Sequence, residues 1–458
     1  MKVIVCGAGQ VGTGIARRLS QENNDITVID HSPELIRNIS QTLDVKTIIG
    51  HASHPDVLQK AGAQDADMLI AVTLHDEVNM VACQVCYSIF SVPTKIARVR
   101  SQNYLKPEWH DLFSREHAPV DVIISPEIEA GDAVLRRLAL PGSFETFSFV
   151  EGKVTLVGVT LEDDCPVVNT PLRQLTSLFP NLSTIVTGVV REGKLFIPHS
   201  DEELLVGDDV FFISATEKVK RTLSIFGHEE PYARHIIIIG GGNIGRYVAQ
   251  RLEETDSKVS VRLIEQQKDR AMMAAKDLDN TIVLHGSGLE PEILREAGAM
   301  NTETVVTLTN NDQVNILASV MAHREGCQRT LCLINDNKYA PMMRSFGIDV
   351  SINPRTTTIS SILQHVRRGR IKALYSVADG MAEVVDAEVL KTSPLLGMKI
   401  SEIHMPEGII IGAIVREGQF IMPSGDLTVR EGDRIIVFAH AEQIHKVEQM
   451  FRVSFEYF

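Results

Sequence analysis

Cysteine is scarce in this chain. Six residues in 458 are too few for a disulfide framework, and they point to a reducing, cytosolic compartment. Positive charge is also in deficit: 45 Lys+Arg against 59 Asp+Glu leaves −14 with neutral His. The mean field of such a chain repels nucleic acid and anionic lipid alike, so neither is expected as a partner. No run approaches the ~20 apolar residues that span a bilayer. The longest uncharged stretch, residues 78–94, is broken by Asn79, Gln84, Ser88 and Pro93. Met1-Lys2 leads straight into Val3-Ile4-Val5, without the charged start, long apolar run and cleavage site of a signal peptide. Any action at a membrane is therefore expected from outside it. What remains is ordinary folded composition, 44% hydrophobic and 23% charged, at a length suited to three or four domains of ~100–150 residues each.

The chain is a duplication. Residues 3–14 read VIVCGAGQVGTG and residues 236–247 read IIIIGGGNIGRY. PDVLQKAGA (55–63) faces PEILREAGA (291–299), and AVTLHDEVNMVA (71–82) faces TLTNNDQVNILA (307–318), both at an offset of 236. VREG recurs at 190–193 and 415–418, and Gly207-Asp208 matches Gly432-Asp433, at an offset of 225. Order is kept throughout, so each half of about 229 residues is one copy.

Within each copy the pattern changes near residue 140 and again near 370. Before that point, short β-branched runs (3–6, 26–29, 45–49, 68–72) alternate with amphipathic segments. Continuous apolar strands mark a parallel sheet covered on both faces. Val11, Ile15, Ala16 and Leu19, like Ile244, Val248, Ala249 and Leu252, form one apolar helix stripe. Pro55 and Pro291 suit a first helical turn, with Gly62 and Gly298 at the left-handed end. The expected fold is a tandem α/β duplication of a Rossmann-like, doubly wound parallel sheet. The later runs (184–190, 210–214, 409–415, 434–438) follow one another with turns between, which predicts a small α+β lobe with a mostly antiparallel sheet. Residues 227–234, with Gly, charges and Pro, read as the linker between copies.

Gly7-x-Gly9-x-x-Gly12 follows a strand and opens a helix, with Asp30 eighteen residues beyond Gly12. Gly240-x-Gly242-x-x-Gly245 repeats the pattern, with Glu265 twenty beyond Gly245. A lone GxGxxG says little; strand, glycines, helix and acid in order, twice in one chain, is a strong nucleotide signal. The first glycine allows the tight turn, the second lets a diphosphate reach the backbone, and the third lets helix and strand pack closely. Helix N–H groups and dipole then face the phosphates. The acid is expected to accept from ribose hydroxyls and to reject a 2′-phosphate, which favours NAD(H) over NADP(H); ATP and ADP present the same features. Ligands lie outside the carboxyl ends of the strands. That adds Gly50-His51-Ala52, Thr73-Leu74 and Arg98 in the first copy, and Gly286-Ser287-Gly288 and Thr309-Asn310 in the second. The counterpart of Arg98 is Leu333, so the two sites are not equivalent. His51-x-x-His54 lacks the third ligand a zinc site needs, and its repeat has Ser287 and Glu290. No metal is expected. Cys83-x-x-Cys86 sits in an apolar, helix-like run and reads as buried small side chains.

Two GxGxxG halves, each followed by a lobe bearing VREG and a later Gly-Asp, resemble the RCK/KTN family over essentially the whole chain. The resemblance is to its tandem members, the cytosolic regulatory subunits of bacterial Trk potassium uptake systems. It implies nucleotide-binding N-lobes at 1–125 and 232–352 and C-lobes at 140–227 and 370–455. It implies NAD/NADH, with ATP/ADP possible, contacted by Gly7, Ala8, Gly9, Gln10, Val11, Asp30, Thr73, Leu74 and Arg98. In the second half it implies Gly240, Gly241, Gly242, Asn243, Ile244, Glu265, Thr309 and Asn310. It further implies a peripheral, non-enzymatic protein on the cytoplasmic face of the inner membrane, a homo-tetramer under a Trk-type potassium channel subunit, regulating K⁺ flux without binding K⁺. Some ATP-sensing relatives carry Arg at the position of Gln10; neither Gln10 nor Asn243 supplies that charge. Two other readings stay open on the residues alone, an NAD-dependent oxidoreductase and an NAD sensor acting on another soluble partner.

Overall fold

The computed structural model describes residues 1–22, 24–179, 182–255, 258–366 and 371–451. The expected start of the last lobe at 370 and its end at 455 lie outside these. The first copy opens with β1 (Lys2–Cys6), α1 (Gln10–Gln21), β2 (Asp25–Asp30), α2 (Pro33–Thr42), β3 (Lys46–Ile49) and α3 (Pro55–Lys60). It continues with β4 (Met68–Ala71), α4 (Asp76–Ser88), β5 (Thr94–Arg98), β6 (Val122–Ile124) and α5 (Pro126–Ala139). The strands form one parallel sheet in the order β3-β2-β1-β4-β5-β6. Burial on both faces explains the unbroken apolar runs: Val3, Ile4, Val5 and Cys6 are all buried. The sheet reverses direction of build between β1 and β4, which opens a crevice at their carboxyl ends.

The antiparallel part follows as β7 (Ser143–Phe149), β8 (Val154–Thr160), α6 (Leu172–Leu178), β9 (Thr184–Arg191), β10 (Lys194–Phe196), β11 (Asp209–Ala215) and α7 (Val219–Ile225). Its sheet runs β10-β9-β11-β8-β7. The second copy repeats the parallel sheet: β12 (His235–Ile239), α8 (Asn243–Thr255), β13 (Ser260–Glu265), α9 (Lys268–Asp277), β14 (Ile282–His285), α10 (Pro291–Glu296), β15 (Thr304–Thr307), α11 (Asp312–Arg324), β16 (Arg329–Leu333), β17 (Val350–Ile352) and α12 (Pro354–Val366). The order β14-β13-β12-β15-β16-β17 is the same. The chain ends with β18 (Ile371–Val377), β19 (Ala382–Glu388), β20 (Ile409–Arg416), β21 (Gln419–Ile421), β22 (Arg434–His440) and α13 (Ile444–Met450), in the sheet β18-β19-β22-β20-β21. The tandem α/β reading therefore holds, including the antiparallel second lobes.

Packing does not follow chain order. One compact unit gathers both parallel sheets, from residues 1–135 and 233–366; the other gathers the described parts of 136–232 and 367–458. In the first unit the copies exchange helices. Ile362, Leu363 and Val366 of α12 complete the core under β1 and α1 of the first copy. A Cβ at Gly14 of α1 would collide with Ile359, and one at Gly131 of α5 with the ring of Tyr247 on α8. Tyr247 donates its hydroxyl to Asp132 at 2.7 Å. The sequence reading left 126–139 and 353–369 between lobes, because nothing in a helix's own sequence names the partner it will cover.

In the second unit the two sheets share a core in which Phe211 and Phe438 meet. The recurring VREG and Gly-Asp motifs are one clip seen twice. Arg191 donates Nε and Nη2 to the two carboxylate oxygens of Asp208 at 2.8 Å, and Arg416 treats Asp433 alike at 2.8 and 2.9 Å. Both carboxylates are buried, so the bidentate geometry answers their desolvation.

Candidate functional site

Each glycine of the loop answers a different demand. Gly7 and Gly240 stand at φ of +113° and +112°, where a side chain is strained. A Cβ at Gly12 or Gly245 would collide with the carbonyl oxygen of Gly7 or Gly240, so these two let helix and strand close. Gly9 and Gly242 are different: neither has a positive φ, and a Cβ there would meet nothing within 4 Å. The fold alone does not call for glycine at either. A backbone left bare beside open space at the start of a helix is what a diphosphate needs, and on that observation the loops fit a nucleotide.

The acids at the ends of β2 and β13 brace these loops. Asp30 accepts from the backbone N–H of Ala8 at 2.7 Å and of Ser32 at 2.8 Å. Glu265 accepts from Gly241 and Gln267, both at 2.7 Å. A carboxylate has about four acceptor sites, so capacity for ribose hydroxyls remains. Asp30 and Glu265 are buried, which makes the bracing bonds strong.

A second repeated device holds the loops after β4 and β15. The fully buried Asn79 accepts from Thr73 N at 2.9 Å and Thr73 Oγ1 at 2.7 Å, and donates to the carbonyls of Thr73 and Arg98. Asn315 does the same with Thr309 and the carbonyl of Leu333. Asp76 accepts from the N–H groups of Arg100 and Ser101, and Asp312 from those of Asn335 and Asp336. Sequence reasoning missed these four residues, although the repeated D-x-V-N string carried the signal.

Both glycine loops open into one cleft of about 1430 Å³ within the unit of parallel sheets. Of the expected site residues all but Ala8, Gly12 and Gly245 line it; so do Gly50 and Gly286, Ser287 and Gly288. Ala8 contributes its N–H to Asp30. Leu74 is exposed, whereas Arg98 is buried and not a solvated surface charge. The Arg98 guanidinium donates Nη2 to Thr73 O at 2.6 Å; burial, then the nearby Arg100, lower its pKa from the usual value. Arg100, Glu127, Arg246 and Arg355 also line the cleft and were not expected there. His31, His51 and His54 form a run of neighbouring rings, with centroids 5.5 and 5.2 Å apart. Among the described residues no three His, Cys, Asp or Glu side chains converge as a metal site. Cys83 and Cys86 stand on the core-facing side of α4, and burial pushes the Cys86 thiol up to about 12.

Paired parallel sheets with glycine loops, paired antiparallel sheets and a tandem order define an RCK-type fold. Residues 3–126 and 236–354 match the TrkA-N domain, and residues 156–227 and 384–452 the TrkA-C domain. The Trk system potassium uptake protein TrkA of Azorhizobium caulinodans is 52% identical over 100% of both chains. The chain belongs to this TrkA family, the regulatory proteins of Trk potassium uptake. Among solved structures, the GsuK RCK domain matches with TM-score 0.60 and 18% identity, over 98% of this chain and 94% of that one. The GsuK channel bound to NAD matches at TM-score 0.60 and 18% identity, over 98% of this chain and 78% of that one. Among the described residues no helix is long and apolar enough to cross a membrane.

Proposed function

We propose that this chain is a nucleotide-responsive gating subunit that binds NAD(H) and ATP or ADP in its two N-lobes and controls potassium flow through a Trk-type membrane subunit. The observation that carries the reading is the open space at Gly9 and Gly242, with both loops facing one cleft. The NAD found with the GsuK channel supports the ligand class. On this reading the chain acts from the cytoplasmic side, as a homo-tetramer, with lobes divided at 1–125, 140–227, 232–352 and 370–455. It binds no K⁺ itself and performs no chemistry on its ligand. The glycine loops and helix dipoles hold the diphosphate, while Asp30 and Glu265 accept from ribose and exclude a 2′-phosphate.

Gly9→Ala and Gly242→Ala test it. Each places a methyl group in open space, so thermal unfolding should be unchanged. NADH and ATP affinity, measured by calorimetry on the full chain, should fall at the altered half by about tenfold or more, ~1.4 kcal/mol or above. Unchanged affinities for both ligands in both variants would remove the site assignment. Co-purification with a polytopic membrane protein supports gating, whereas sustained NADH oxidation by the purified chain would support an oxidoreductase instead.

A further inference from the structure

The two halves of the cleft are built alike at the glycine loops and their bracing acids, and differ on the far side. Asp30 sits at the end of β2, on one side of the β1 glycine loop; β4, β5 and β6 lie on the other. A nucleotide held by Asp30 and Gly9 must therefore send its remaining end past Leu74 toward Arg98, Arg100 and Glu127. Glu127 lines the cleft, and with Leu74, Arg100 and Asn243 it also lines a small recess beside it. Asn243 belongs to the second half's glycine loop, so this far end is closed by the other copy.

Glu127 is 7% exposed and Arg98 8%. Glu127 Oε1 accepts from Arg100 Nε at 3.0 Å, but Oε2 has no partner among the described residues and no contact with solvent; Arg98 Nε is in the same position. Burying such atoms unpaired is costly, and a ligand group that both donates and accepts would relieve both. In the second half Leu333 replaces Arg98, Asn335 replaces Arg100, and Arg355 replaces Glu127. Arg355 lines the cleft and donates Nη1 to Asn335 O at 2.8 Å. At the position of Glu127 that half therefore offers a cation; Asp312 and Asp336 line the same end, and Asp312 is already engaged by the N–H groups of Asn335 and Asp336.

We propose that Glu127 and Arg355 give the two halves different ligands. The first half takes a dinucleotide whose far end carries hydroxyls and a carboxamide, and the second takes a nucleoside polyphosphate. A carboxamide can accept from Arg98 and donate to Glu127, whereas a terminal phosphate would meet the unpaired carboxylate oxygen. Arg355 offers a terminal phosphate a charge-assisted bond. The inference rests on the nucleotide reading above and specifies it.

The test uses the full chain with one half disabled at a time, Gly242→Ala to isolate the first half and Gly9→Ala the second, titrated with NADH and with ATP. NADH should bind the first half more tightly than ATP, and the preference should reverse in the second. Glu127→Gln, which keeps the volume and an acceptor for Arg100, should shift the first half's NADH-to-ATP preference toward ATP by about tenfold. Arg355→Gln should shift the second half's preference toward NADH by a similar factor, which keeps the inference testable should one variant fold poorly. Equal preferences in the two halves, or preferences that neither substitution moves, overturn it. Absence of any binding to the unaltered chain overturns the nucleotide reading as well, so the two failures are distinct.

Discussion

A Cβ added at Gly12 would strike the Gly7 carbonyl oxygen, whereas one added at Gly9 would touch nothing within 4 Å. Gly12→Ala should therefore cost ~3 kcal/mol or more, because backbone and not a flexible side chain has to give. Calorimetric melting checks it: a clear fall in Tm for Gly12→Ala beside an unchanged Tm for Gly9→Ala is expected, and equal melting would discard the distinction. At this scale the glycine loop was legible, since a spacing of fixed residue types reports local backbone geometry. The bracing role of Asp30 and Glu265 was not, because it depends on which N–H groups the folded loop turns toward each carboxylate. The sequence places Arg98 only at a strand end where ligands lie; its burial comes from the packing around β5, which no local pattern encodes.

The elements themselves were legible where strands run apolar and helices carry one stripe, as in β1, α1 and β2. The short β6 and β17, three residues each, leave too little periodicity to read. Helices α5 and α12 escaped for another reason. Each packs against the other copy, α12 through its apolar residues and α5 through Gly131 and Asp132 at Tyr247, so the partner is not local. Ile362 of α12 is fully buried in the core of the first copy's sheet. Ile362→Ala should cost ~2–5 kcal/mol, and the damage should appear more than three hundred residues away in sequence. Hydrogen exchange reads it out: amides of α1 and β1 should lose protection along with those of α12. Loss confined to α12 would mean that the exchanged helix merely rests on the first copy. Glu127 reaches the cleft's far end because it opens α5 directly after the three-residue β6, beside Arg100 of its own copy, and so short a strand left that residue unmarked beforehand.

At the scale of the whole molecule, the duplication has brought two glycine loops to one cleft. The loops at Gly9 and Gly242 open into the same volume, and Asn243 of one loop lines the recess reached from Leu74 of the other half. A ligand moves a conformational equilibrium only by its different affinity for the two states. If both copies respond as one body, filling either half must alter the other. Couplings of this kind are typically ~1–3 kcal/mol, roughly 5- to 150-fold in affinity. Linkage then demands symmetry: saturating NADH should change ATP affinity by the same factor by which saturating ATP changes that of NADH. Titrating each ligand into the full chain with and without the other measures both factors. The Gly242→Ala chain should retain NADH binding and lose its dependence on ATP. Independent isotherms in the unaltered chain would leave the shared cleft without a regulatory consequence. Coupling that survives Gly242→Ala would place its origin outside the second glycine loop.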